Sequence, residues 1–331
     1  MVEALYNASG LGLPIVMTIA NRAIGAPINI WNDHSDSMSQ RDSGWIQLYA
    51  ETNQEALDMH IQAFRIAEAV SLPVMVCMDG FILTHAYEEV DIPDQERVDA
   101  FLPEFEPRQI LDPAQPVTIG SMVGPEAFFE VRYLAHAKQM QALDLIPEVS
   151  REFERGFGRP SGGLVRPYRA EDAETIVVAL GSVLGTIEDV IDEMRDAGVP
   201  IGALALKSFR PFPLQEVREA LAAAKRVVVL EKNLAVGIGG VVSANVRTAL
   251  SGIQLHGYTV VAGLGGRSIT RESLHGLFER AIRDELQPLN FLDLKMEVVE
   301  RELERVHQST PSGPHEENIL RDIGVVAAEP H

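Results

Sequence analysis

Arg22 follows an apolar run by two residues and opens the stretch of this 331-residue chain richest in chemistry-bearing side chains. Asp33, His34, Asp36, Arg41 and Asp42 lie between Asn21 and Gln54, interleaved with Ile28, Ile30, Trp31, Trp45, Ile46 and Tyr49 as apolar anchors. A guanidinium beyond the carboxyl end of a parallel strand can grip a small-molecule carboxylate with two parallel N–H bonds. A salt bridge from Arg22 to a loop acid such as Asp33 or Asp36 is the other use of the same group. Asp33, His34 and Asp36 are metal-ligand types, yet no second histidine stands at ligand spacing, so no metal is assigned. The preferred expectation is a buried hydrogen-bond network that fixes the loop, with Arg41 and Asp42 as partners. Asp79-Gly80, followed by Thr84, His85 and Glu88, suits an acid–base role or a turn leading into a capped helix.

Two glycine groups sit where a ligand's phosphate is often cradled. Gly237-Ile238-Gly239-Gly240 separates an expected strand from an expected helix, and Gly265-Gly266 precedes Arg267. Neither has dinucleotide-fingerprint spacing or a following Walker lysine, and close packing of helix on sheet explains the first group equally well.

These residues need elements to hold them. Leu13 to Ala20 is continuously apolar between Gly and Pro and predicts a strand buried on both faces of a parallel sheet. A short helix precedes it, a helix is expected over 53–69, and Leu72 to Met78 predicts the next buried strand. Pro93 to Val117 reads as an exposed connection, and helical periodicity returns over 126–157. From Thr175 the chain alternates strand and helix to about Gly263, the rhythm of a second parallel sheet. The expected organisation is α/β in two domains: 1–155, a hinge at 156–171, and 172–331 with a polar tail from Pro311.

Acidic residues outnumber basic ones by 48 to 28, a net charge of -20, which disfavours nucleic acid and anionic membrane surfaces as partners. No apolar run approaches the roughly 20 residues that cross a bilayer, and a cytoplasmic location is expected. Cys77 is the single cysteine, so the chain forms no intramolecular disulfide and cannot ligate an iron–sulfur cluster, which generally takes about four thiolates.

The ordered blocks NRAIGAPINIWNDHSDSMSQRDSGWIQLYAETNQ, LPVMVCMDGFILTH, FGRPSGGLVRPYRAEDAE, KSFRPFP and VLEKNLAVGIGGVVSANV resemble the alpha subunit of 2-oxoacid:ferredoxin oxidoreductases of the pyruvate synthase type. The resemblance covers nearly the whole chain. It implies a thiamine-diphosphate pyrimidine-binding domain, N-terminally short, followed by a transketolase C-terminal-like domain. It further implies CoA-dependent oxidative decarboxylation of pyruvate to acetyl-CoA and CO2, an EC 1.2.7 type activity exercised only with partner subunits. A branched-chain or aryl 2-oxoacid such as 2-oxoisovalerate or phenylglyoxylate is the alternative substrate, and a non-catalytic scaffold the alternative role. A beta subunit would share thiamine diphosphate and Mg, and [4Fe-4S] clusters would sit on partner chains only, with gamma/delta subunits passing electrons to ferredoxin. By motif, Arg22 takes the substrate carboxylate, with Asn21, Asp33 and His34 as neighbours of the cofactor. The family's ylid-promoting glutamate and a substrate-side threonine belong to a segment ahead of the first helix here, so no residue is given the glutamate's place.

Overall fold

A computed structural model describes residues 2–25, 27–305 and 313–325. Its ten strands are β1 (Val16–Asn21), β2 (Ile46–Tyr49), β3 (Val74–Asp79), β4 (Val165–Tyr168), β5 (Thr175–Ala179), β6 (Ile201–Leu206), β7 (Ser208–Arg210), β8 (Arg226–Glu231), β9 (His256–Val261) and β10 (Leu289–Phe291). They form two sheets, ordered β1-β3-β2-β7 and β10-β9-β8-β5-β6-β4. Pairing is parallel except where β7 meets β2 and β4 meets β6. The α/β class and its two parallel-type sheets follow from the apolar runs and the helices between them.

The first sheet is backed by helices Asn53–Val70 and Phe128–Phe157, whose Met59, Ala63, Ile66, Ile146 and Val149 pack on Ile46, Leu48, Val74 and Val76. Thr52 caps the first of these helices by accepting from Glu55 N at 3.1 Å. The second sheet packs helices Val183–Asp196 and Arg271–Ile282 on one face through Leu184, Ile187, Ile191, Leu274 and Phe278. Its other face joins Trp45, Tyr49, Met75 and Cys77 of the first unit in one apolar cluster with Ile176, Val178, Leu204 and Leu206. One core therefore crosses from unit to unit, and β7 places residues of the second unit's sequence in the first sheet.

Four expectations change. The first apolar run forms β1 at a sheet edge, with Thr18 and Ala20 exposed, because β3 pairs with only one side of it. The stretch expected as a hinge at 156–171 contains β4, which pairs along β6 from Val165 opposite Leu206 to Tyr168 opposite Ala203. The connection from Pro93 holds helix Gln95–Phe101, anchored by Phe101 against Phe153 and Phe157. The tail from Pro311 lies partly outside the described residues; its described part, 313–325, carries helix His315–Asp322, tied to helix Met296–Arg305 by Arg305–Asp322 at 2.6 Å and His315–Glu302 at 2.6 Å.

Candidate active site

The two sheets approach each other by their carboxyl ends. Asn21 ends β1 and Asp79 ends β3; opposite them stand Ser182 just beyond β5, Lys232 directly after β8, and Gly263 to Gly266 after β9. Carboxyl ends of parallel strands are where the chain leaves the sheet with free backbone dipoles and where open α/β folds bind ligands. The loop from Arg22 to Gly44 is clamped between them.

Asp79 is the centre of the clamp. Its Oδ1 lies 2.6 Å from His34 Nε2, and its Oδ2 accepts from Ser182 N at 3.0 Å, Ser182 Oγ at 2.5 Å and Lys232 Nζ at 3.1 Å. Asp79 and His34 are each 1 % exposed and Lys232 is 4 % exposed. Burial alone would push the Asp79 carboxyl up, but the charges of His34 and Lys232 outweigh it and hold the group well below the usual carboxylate range. His34 N also donates to Lys232 O at 2.8 Å. Gly181, at φ +79°, leaves room for this pair: a Cβ there would stand 3.0 Å from Asp79 Oδ1 and 3.2 Å from His34 Nε2.

Asp33 faces elsewhere. Its Oδ1 accepts from Ser35 N and Oγ at 2.9 and 2.6 Å, and its Oδ2 from Gly265 N at 3.1 Å. Asn29 donates to Gly265 O at 3.1 Å, and Gly266 N donates to Asn32 O at 2.7 Å. The glycine pair is thus the floor on which the loop docks, and a Cβ on Gly266 would meet Trp31 Cβ at 2.4 Å. The expected loop-fixing network exists with different partners. Arg41 and Asp42 stand outside it, Arg41 binding Met38 O at 2.9 Å and Asp42 at 3.7 Å.

Arg22 is exposed, and its Nη1 donates to Asn29 O at 3.0 Å. Neither loop acid takes its side chain. Asp36 instead accepts from Arg22 N at 3.0 Å, Asn21 Nδ2 at 2.7 Å and Ser37 N at 2.7 Å, so it fixes the backbone from which Arg22 projects. Burial pushes the Asp36 carboxyl up against these bonds, which pull it down. Asn21 spends Nδ2 on Asp36 and Ser37, and among the described residues its buried Oδ1 is left without a partner, as is Asn32 Oδ1.

Helix N-termini attract anions, and here the chain supplies them. Asp79 occupies the start of helix Val183–Asp196. Glu231 fills the start of helix Val242–Ala249, accepting from Val241 N at 2.7 Å, Val242 N at 2.9 Å and Ser243 N at 3.1 Å. Burial pushes the Glu231 carboxyl up despite these three donors. A Cβ on Gly240 would lie 2.0 Å from Glu231 Oε1, so that glycine serves the internal carboxylate and no phosphate cradle is open there.

Sequence reasoning brought Asn21, Arg22, Asp33 and His34 to one region and missed Ser182 and Lys232, the second unit's half of the clamp. The available signal was position: a lysine immediately after an apolar strand, and a Gly-Ser step immediately after another.

Comparison with known proteins gives this arrangement a lineage. Residues 1–151 match the family described as pyruvate flavodoxin/ferredoxin oxidoreductase, thiamine diP-bdg, and residues 173–274 match pyruvate:ferredoxin oxidoreductase core domain II. The chain is 45% identical over 310 residues to pyruvate synthase subunit PorA of Methanosarcina barkeri, covering 90% of this chain and 77% of that subunit. It is 44% identical over 309 residues to PorA of Pyrococcus furiosus, covering 90% and 78%. Against ketoisovalerate oxidoreductase subunit VorA of Pyrococcus horikoshii the identity is 36% over 282 residues, covering 84% and 72%. A solved 2-oxoglutarate:ferredoxin oxidoreductase from Magnetococcus marinus shares the fold, with a TM-score of 0.60 at 17% identity; the match covers 84% of this chain and half, 50%, of that one.

Proposed function

Because the chain belongs to the pyruvate:ferredoxin oxidoreductase family, as an alpha subunit of the pyruvate synthase type, we propose that it acts in the CoA-dependent oxidation of pyruvate to acetyl-CoA and CO2 with ferredoxin as electron acceptor. The observation that carries the reading is identity of 45% to pyruvate synthase subunits along nine-tenths of the chain, against 36% to a ketoisovalerate subunit. That margin favours pyruvate over a branched-chain 2-oxoacid.

Arg22 is the residue we assign to the substrate carboxylate. Its guanidinium is exposed, has a single carbonyl partner among the described residues, and rises from backbone that Asp36 holds. Thiamine diphosphate, when bound, supplies the centre that accepts the electron pair left by decarboxylation. The chain fits only one end of that molecule. Asn21 Oδ1 and Asn32 Oδ1 are acceptors without donors beside the strand end that leads to Arg22, the chemistry an amino-bearing ring needs. The diphosphate end does not fit, since the helix N-termini after β5 and β8 are already filled by Asp79 and Glu231. This supports a beta subunit that holds the diphosphate and Mg, and the single cysteine supports clusters carried on partner chains, with gamma/delta subunits and ferredoxin completing electron transfer.

The test is Arg22→Ala in the assembled complex. The apparent KM for pyruvate rises at least about tenfold, the loss of one charge-assisted carboxylate contact, while bound thiamine diphosphate per complex is unchanged. Unaltered pyruvate kinetics would remove Arg22 from the site, and a complex without turnover on any 2-oxoacid would leave the scaffold role.

A further inference from the structure

At the opposite end of the first sheet the molecule carries a second, chemically different cavity. Arg210 ends β7, which runs antiparallel to β2 and pairs with Gln47, so it lies by the amino ends of the strands whose carboxyl ends hold Asn21 and Asp79. The cavity, about 420 Å³, is bounded by Arg41 and Arg132 of the first unit and by Arg210, Phe212 and Asn245 of the second. Its size lies in the range of small-molecule sites.

Three arginines line it in a chain whose net charge is -20. Among the described residues their one lining carboxylate is Asp42, itself exposed, at 3.7 Å from Arg41 Nε and 3.8 Å from Arg210 Nη2. Arg210 is otherwise held by neutral groups: Phe209 O at 2.8 Å, Asn245 Oδ1 at 3.2 Å, and the Phe209 ring 4.5 Å beneath it. Arg132 lies over the Tyr6 ring at 5.4 Å and makes no ion pair among the described residues. Burial and the neighbouring charge of Arg41 both push the Arg210 guanidinium's pKa down, and Asp42 offsets this only in part. Half-buried cations placed to repel one another are costly unless an anion joins them, and planar guanidiniums suit the tetrahedral oxygens of a phosphate. Pro211, Phe212 and Met140 give the same cavity an apolar wall.

We propose that this cavity binds a small phosphorylated anion, its phosphate held by Arg41, Arg132 and Arg210 and its organic part against Phe212, so that the ligand bridges the two units away from the catalytic cleft. The site differs from the one assigned to Arg22 in position and in the ligand it takes.

The test is isothermal titration of the full chain, alone and in the assembled complex, with inorganic pyrophosphate and with a nucleoside diphosphate as probes. Both probes bind, the nucleotide more tightly because its organic part uses the apolar wall; equal binding overturns the role given to Phe212. Arg132→Gln weakens binding at least about tenfold, since it removes one of three charge-assisted contacts. Arg22→Ala leaves it unchanged. Chloride at matched ionic strength does not reproduce the heat. Absence of binding, binding insensitive to Arg132→Gln, or binding lost with Arg22→Ala overturns the proposal. So does binding by the free chain that vanishes in the complex, which would give the cavity to an acidic side chain of a partner subunit.

Discussion

Lys232 Nζ stands 3.1 Å from Asp79 Oδ2, joining the end of β8 to the end of β3 across the boundary between the two sheets with both side chains almost wholly buried. The pair is not isolated: Ser182 and His34 complete the coordination of the carboxylate, so every charge taken out of water has a partner. Removing one partner leaves the other charged and desolvated. Asp79→Asn is therefore expected to destabilise the chain by about 3–5 kcal/mol, the usual cost of breaking a buried pair. Urea unfolding measures it, and a midpoint within error of the parent would show that the pair contributes nothing net. Replacing both residues, with Lys232→Met added to Asp79→Asn, is expected to cost less than the sum of the two single changes.

The same carboxylate makes stability depend on acid. Asp79 titrates well below its ordinary value in the folded chain, whereas an unfolded aspartate titrates near about 3.9. The folded state then binds fewer protons, and stability rises with pH wherever the unfolded chain is protonated and the folded one is not. The contribution is complete above about pH 4 and is lost as pH falls through the folded value. Urea midpoints collected from pH 5 down to pH 2 are expected to fall steeply for the parent and less steeply for Asp79→Asn. Parallel profiles would mean that other groups carry the acid sensitivity.

Gly266 sets how closely loop and second unit approach. Its φ is +81° and a Cβ would stand 2.4 Å from Trp31 Cβ, so Gly266→Val meets both a conformational and a steric penalty. The expected loss is about 2–4 kcal/mol, with Trp31 displaced toward solvent. Trp31 is half-exposed and Trp45 is buried, so a red shift of the fluorescence relative to the parent reads the loop directly. An unshifted spectrum with parent stability would show that the loop docks without this contact.

Much of this was legible in the chain because it depends on local pattern. The runs Leu72 to Met78, Thr175 to Leu180 and Ile201 to Leu206 became the strands Val74–Asp79, Thr175–Ala179 and Ile201–Leu206, since uninterrupted apolar residues between turn signals have few alternatives to the middle of a parallel sheet. Arg22, Asp33 and His34 stood out because an anchored loop after a strand is unusual in itself. What failed was pairing at a distance. The first apolar run has the composition of a central strand, and only the sheet order makes it an edge. Ser182 carries no motif and Lys232 stands in the block VLEKNLAVGIGGVVSANV with nothing to mark it as a partner of Asp79; their role exists only once β5 and β8 meet the end of β3. The glycines at 240 and 266 advertised close approach, but not that a glutamate and a tryptophan would be what approached.

Asp36 gives the last expectation, and it concerns the site assigned to pyruvate. One oxygen accepts from Asn21 Nδ2 and Ser37 N and the other from Arg22 N, so both oxygens must be acceptors. Asp36→Asn turns one of them into a donor that faces an N–H, which displaces the backbone beneath Arg22 without touching its guanidinium. In the assembled complex the KM for pyruvate is expected to rise about tenfold, the scale of one lost hydrogen bond to a charged group, with little change in kcat. The pH profile separates this from a general loss of fold. Burial raises the Asp36 pKa above the ordinary aspartate value, so in the parent the KM climbs as pH falls through that raised value and the carboxyl takes up a proton. In Asp36→Asn that acid limb disappears while the KM stays uniformly high. A variant that keeps the parent's limb, or that loses kcat and KM together, would show that Asp36 does not position Arg22.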